Sequence, residues 1–162
     1  MSTISSAQQR FEQFLLKTRH AIQQASSEAS LVQQLCHGMD ELLQGALPLE
    51  APPIAPGQYE GRLIFEDPQT GYIAVLMAWG PGAVTSIHDH GTWGVFGVCQ
   101  GALEFTNFMQ VSGQHVRPVA QVLAHPGDVS YVIPPEQEIH RIENPTPSPA
   151  YSIHLYGRNI GF

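Results

Sequence analysis

From Tyr59 onward the chain is a series of short β-branched and aromatic runs separated by turns that carry glycine or proline, and this punctuation constrains the fold more than any other feature. The runs fall at 59–66, 72–79, 84–90, 94–100, 102–109, 116–124, 129–133, 139–143 and 150–157. Between them stand DPQTG, GPG, QG, HPGD and PP. Proline presets φ and glycine accepts positive φ, so each of these is a turn with a mechanism. Strands this short and this regularly punctuated suit a jelly-roll-like double sheet better than a parallel α/β sheet. The predicted class is all-β.

Residues 5–45 have a different period. Phe11, Phe14, Leu15 and Ile22 recur at three- and four-residue steps behind Ser5 or Ser6 as N-cap, which predicts a helix. Leu31, Val32, Leu35, Met39, Leu42 and Leu43 repeat the pattern after the serine-rich break at Ser26–Ser30, and Gly45–Pro48 ends it. PLEAPPIAPG, residues 48–57, reads as an extended connector. The expected organisation is one domain: helices over 1–47 packed on a barrel over 48–162.

Charge narrows the partners. A net charge of −7 with only 7 Lys and Arg leaves no basic patch for a phosphate backbone, so nucleic acid is not an expected partner. No stretch approaches the roughly 20 apolar residues of a membrane span, and the N-terminal residues have no apolar signal-like core. Two cysteines, Cys36 and Cys99, make no disulfide framework, so a cytoplasmic location is expected. A monomer or weak homo-oligomer is the expectation for assembly. The eight histidines are many for a chain with so few charges, and histidine is the commonest metal ligand.

Two of them form His88-Asp89-His90. On a strand, alternate side chains share a face, so residues 88 and 90 point one way and Asp89 the other. His140, in a further strand segment, offers a third imidazole, and three converging inside a barrel make a facial metal site with open positions opposite. His20, His37, His115 and His125 lie in the helical part or in loops and are read as solvated or distant from this site. Cys99 is read as a small buried hydrophobe, and Trp79 and Trp93 as core or pocket wall.

Gly82 to His90, then Gly94 and Gly101, resembles the first cupin motif, and Pro126-Gly127 with His140 to Asn144 resembles the second. One position departs: Gly94, or Val95 if counted residue by residue, stands where most cupins carry a glutamate ligand. Together with Trp79-Gly-Pro-Gly and Tyr151 to Tyr156, this is similar to the cysteine dioxygenase (thiol dioxygenase) family within the cupin superfamily. The resemblance implies a cupin double-stranded β-helix binding Fe²⁺ through His88, His90 and His140, with Ni²⁺ or Zn²⁺ able to take its place. It implies oxidation of a small thiol by O₂ to a sulfinate. Three neutral imidazoles leave the ion its full double charge, which favours a soft anionic thiolate as the next ligand.

The resemblance further implies a relay of Ser152, His154 and Tyr156, and no Cys–Tyr crosslink, since no cysteine stands at 94 or 95. An arginine on the first strand would hold a substrate carboxylate, by a bidentate fork. One alignment places it at Arg62; another places Gly61 there, turns Arg62 to the opposite face, and makes Arg158 the reserve. The expected substrate is L-cysteine or a close thiol carboxylate. Alternatives are 3-mercaptopropionate or another thiol, or a non-catalytic ligand-binding cupin.

Overall fold

A computed structural model of the chain describes residues 5–135 and 137–162. Two helices come first, α1 (Ser6–Gln24) and α2 (Glu28–Leu43). Ser5 caps α1 by accepting from the Gln8 amide at 3.1 Å, and Ser27 caps α2 by accepting from the Ser30 amide at 3.2 Å. Eight strands follow: β1 (Tyr59–Glu66), β2 (Ile73–Trp79), β3 (Gly94–Gln100), β4 (Leu103–Ser112), β5 (His115–Ala124), β6 (Val129–Val132), β7 (His140–Glu143) and β8 (Ala150–Tyr156).

They form two sheets, ordered β1-β2-β8-β3-β6 and β5-β4-β7, with every pairing antiparallel. The larger sheet is covered on both faces. One face carries Ala74, Leu76, Val95, Ile153 and Leu155, which pack against Phe11, Phe14, Leu35 and Met39 of the helices. The other carries Ile73, Val75, Met77, Phe96 and Val98, which meet Leu103, Phe105 and Ile142 of the smaller sheet inside the barrel. β2 is therefore apolar at every position, and both β2 and β8 are fully buried, as expected of strands with no solvent face. Gly97 lets α2 come close: a Cβ there would lie 2.7 Å from Met39 Cγ and 2.8 Å from Leu43 Cδ1.

One expected strand is not regular. Over 84–90 the backbone forms only isolated antiparallel bridges, Val84 to Glu143 and His88 to His140. The positive φ of Gly82 and Gly91 at its two ends, +72° and +60°, turns the chain away from extended pairing. The segment still lies along β7, because Thr85 N donates to Ile142 O at 3.0 Å and Asn144 N to Ala83 O at 2.8 Å. Asn144 is fully buried and knots the adjoining turn, its Nδ2 facing the carbonyls of Trp79, Gly80 and Ser148 and its Oδ1 accepting from Thr146.

Candidate metal centre

The bridge between the 84–90 segment and β7 sets two imidazoles side by side. His88 N donates to His140 O at 3.0 Å and His140 N to His88 O at 2.9 Å, so the two residues are directly opposed and their rings lie 4.5 Å apart. His90 closes the group at 4.7 Å from the His88 ring and 5.1 Å from the His140 ring. One potential ligand atom from each of the three lies within 4.8 Å of the others. Asp89 is exposed between the two half-buried histidines, in line with the expected alternation.

The ring chemistry fits a cation. His88 Nδ1–H donates to Ser86 O at 2.8 Å and His140 Nδ1–H to Glu138 O at 2.6 Å, which leaves each Nε2 as a lone pair. The Nε2 atoms of His90 and His140 are buried and have no hydrogen-bond partner among the described residues. An orphaned buried nitrogen costs about 1–3 kcal/mol, a cost that coordination removes. Burial, followed by the neighbouring His140 and His88, pushes His90 down to about 3. Burial also takes His140 down to about 4, against the opposing effect of its bond to Glu138. Both rings are neutral at pH 7, the form in which imidazole binds metal.

Beside the triad, β8 turns Ser152, His154 and Tyr156 to the barrel interior, all of them buried. Ser152 Oγ lies 2.8 Å from His154 Nε2, and His154 Nδ1 lies 2.9 Å from Tyr156 Oη. Trp79 Nε1–H donates to Ser152 Oγ at 2.9 Å. Burial, with the three nearby histidines, holds His154 well below its usual range, so it carries one N–H. In the tautomer that carries the hydrogen on Nδ1, Ser152 donates to Nε2 and Nδ1–H donates to Tyr156 Oη. The phenol O–H then has no partner among the described residues, and its ring stands 4.7 Å from that of His90. Burial raises the Tyr156 phenol, which stays protonated.

The chain matches the family described as cysteine dioxygenase type I over residues 1–159. It belongs to that family. Solved structures show the same fold at low identity. A protein with a double-stranded β-helix domain from Klebsiella pneumoniae is 18% identical, covering 68% of this chain and 87% of its own, at a TM-score of 0.51. The Cnp3 cupin domain of Schizosaccharomyces pombe is 14% identical over 68% of each chain, at 0.52. A recombinant oxalate oxidase in complex with glycolate is 18% identical, covering 74% of this chain and 62% of its own, at 0.53. The fold is the cupin double-stranded β-helix.

Within this cysteine dioxygenase family member, register separates residues that the sequence left ambiguous. Gly94 pairs with Tyr156 and Val132 and faces the interior, whereas Val95 packs on the helix side. A Cβ at 94 would lie 2.8 Å from Phe96 Cζ, so the Phe96 ring fills the place of a side chain there. That ring contacts the site directly, 4.6 Å from His154 and 5.6 Å from His140.

Arg62 is not brought to the site. It pairs with Leu76, which faces the helices, while Gly61 pairs with Met77 in the interior. The slip of one residue reverses the face, so the first-strand arginine expected from one alignment points away. The Gly61 position is closed by Phe162, whose Cε1 would lie 2.2 Å from a Cβ there. Arg158 does reach the triad's backbone: its Nη2 donates to His90 O at 3.1 Å. Of the two tryptophans, Trp79 lies in the interior and Trp93 on the helix side. Sequence reasoning missed Phe96, the donor role of Trp79 and Glu138, since each depends on cross-strand or loop register that no local pattern reveals.

Proposed function

We propose that this protein is an Fe²⁺-dependent thiol dioxygenase that converts a small carboxylate-bearing thiol, L-cysteine or a close analogue, to its sulfinate. The observation that carries the reading is the pair of buried, unpartnered Nε2 atoms of His90 and His140, grouped with His88 so that one ligand atom of each lies within 4.8 Å of the others. His88, His90 and His140 would hold the ion. A bound Fe²⁺ would supply a redox-active Lewis acid with positions left for a thiolate and O₂. Sulfur gives up the electrons and takes both oxygen atoms, so no external reductant is needed.

The chain's own groups then have distinct tasks. Tyr156 presents a phenol O–H that stabilises negative charge developing on oxygen, and His154 and Ser152 fix its orientation. Phe96 keeps the position beside Tyr156 apolar and dry. Arg158 is the cation for the substrate carboxylate. Of the seven Lys and Arg, Arg10, Lys17 and Arg19 lie on α1, Arg62 and Arg117 are exposed on β1 and β5, and Arg141 faces Glu143. Among the described residues, Arg158 is the one of these seven that bonds a residue of the triad, with one of its five N–H groups.

The test is a thiol panel of L-cysteine, 3-mercaptopropionate and cysteamine with the iron-loaded protein. With Fe²⁺ held at saturation for every variant, Arg158→Ala should raise KM for the two carboxylates about 10- to 100-fold, the worth of a hydrogen-bonded charge, and affect cysteamine far less. Arg62→Ala should leave all three unchanged. The opposite pattern would return the carboxylate to Arg62. Metal binding without turnover of any thiol would favour the non-catalytic ligand-binding barrel.

A further inference from the structure

We propose that Glu138 and Arg158 clamp the His90–Gly91 peptide from its two sides and so position His90 as a metal ligand. The inference rests on the metal-centre reading and deepens it. Gly91 N donates to Glu138 Oε2 at 2.9 Å, and His90 O accepts from Arg158 Nη2 at 3.1 Å. These two groups belong to a single planar peptide unit, whose N–H and C=O point in opposite directions. One anion and one cation therefore hold it at opposite poles, each through a charge-assisted bond.

His90 needs such support more than its two companions do. The rings of His88 and His140 are pinned through Nδ1 to the carbonyls of Ser86 and Glu138, and their backbones are bridged to each other. No hydrogen bond pins the His90 ring among the described residues, and the backbone ladder stops at His88. Its position is set by the turn that follows. Gly91 has φ +60°, a conformation that favours glycine, and Arg158 Nη2 lies against it, 3.0 Å from where a Cβ would stand.

Glu138 itself is otherwise hard to account for. It is buried at 8% exposure, and no cation pairs with it among the described residues. A buried carboxylate is costly without a countercharge. Placed on the loop leading into β7, it serves two ligands at once: its side chain holds the peptide after His90 and its carbonyl accepts from His140. Truncating the side chain removes only the first of these.

The test measures Co²⁺ affinity by competition with a chromophoric chelator, and the visible spectrum of bound Co²⁺, in wild type, Glu138→Ala and Glu138→Gln. Loss of a hydrogen bond supporting a ligand costs 10- to 100-fold in metal affinity, so Glu138→Ala should weaken binding by that factor and alter the spectrum. Glu138→Gln, whose amide oxygen still accepts from Gly91, should stay within about threefold of wild type. Should Glu138→Ala not fold, Arg158→Ala tests the same clamp from its exposed side, with weaker binding expected and partial rescue by Arg158→Lys. Wild-type affinity in Glu138→Ala, or in Arg158→Ala where that stands in for it, would overturn the clamp, as would Glu138→Gln binding as weakly as Glu138→Ala. Wild type binding no Co²⁺ would instead overturn the metal-centre reading.

Discussion

Gly94 and Phe96 together decide what Tyr156 can do. They occupy successive interior positions of β3, and the Phe96 ring lies over the glycine, 5.8 Å from the Tyr156 ring. Neither an acidic ligand nor a cysteine is available there, so the phenol keeps its proton and its hydrogen bond to His154. Tyr156→Phe should therefore leave metal content unchanged and slow turnover on the order of 10²-fold, the usual cost of losing one such donor. Metal analysis beside kcat checks this, and an unchanged rate would reduce Tyr156 to packing. The shared face of His88 and His90 and that of Ser152, His154 and Tyr156 were legible in the sequence because residues two apart on an extended segment point the same way, whereas the roles expected of them came from the family resemblance. Arg62 was misplaced for the same reason: alternation gives a face only once the register is known, and β1 sits in register with Gly61 inward.

The elements are anchored to one another by a few buried polar contacts. Asp67 begins the turn between β1 and β2, is fully buried, and accepts from Arg19 of α1 at 2.7 Å and from the Thr70 amide and hydroxyl at 2.9 and 2.6 Å. Burial alone raises its carboxyl, but the hydrogen bonds from Thr70 and Arg19 and the Arg19 charge outweigh burial and hold it below the usual carboxylate range. A depressed pKa in the folded state means stability that is present above the unfolded value of about 3.9 and is lost as pH falls through the folded value. Thermal unfolding should show Asp67→Asn destabilised at pH 6–7, with the gap to wild type closing below about pH 4. A gap that stays constant with pH would deny the charge its role. Both helices and most strand positions could be read from periodicity. The irregular 84–90 segment could not, because its residues alternate like a strand and only the positive φ of the flanking Gly82 and Gly91 turns it away from regular pairing.

At the scale of the whole molecule, the barrel sets a polar cluster of four histidines and a tyrosine against an apolar interior. Among the described residues no helix is long and apolar enough to cross a membrane. The all-β architecture was legible because turn chemistry recurs at strand-length intervals. The order of strands in the two sheets was not, because it depends on pairings far apart in sequence, such as β2 with β8 and β3 with β8. Those pairings bring Trp79 and Phe96 beside His154, and Tyr156 beside His90 of the triad. The central claim is that this site adds both atoms of O₂ to a thiol sulfur. The most direct measurement is mass spectrometry of the product formed by the iron-loaded protein from L-cysteine under ¹⁸O₂. A sulfinate heavier by two ¹⁸O atoms, absent in the His140→Ala variant, is expected. Disulfide as the sole product, or a sulfinate carrying oxygen from water, would contradict it.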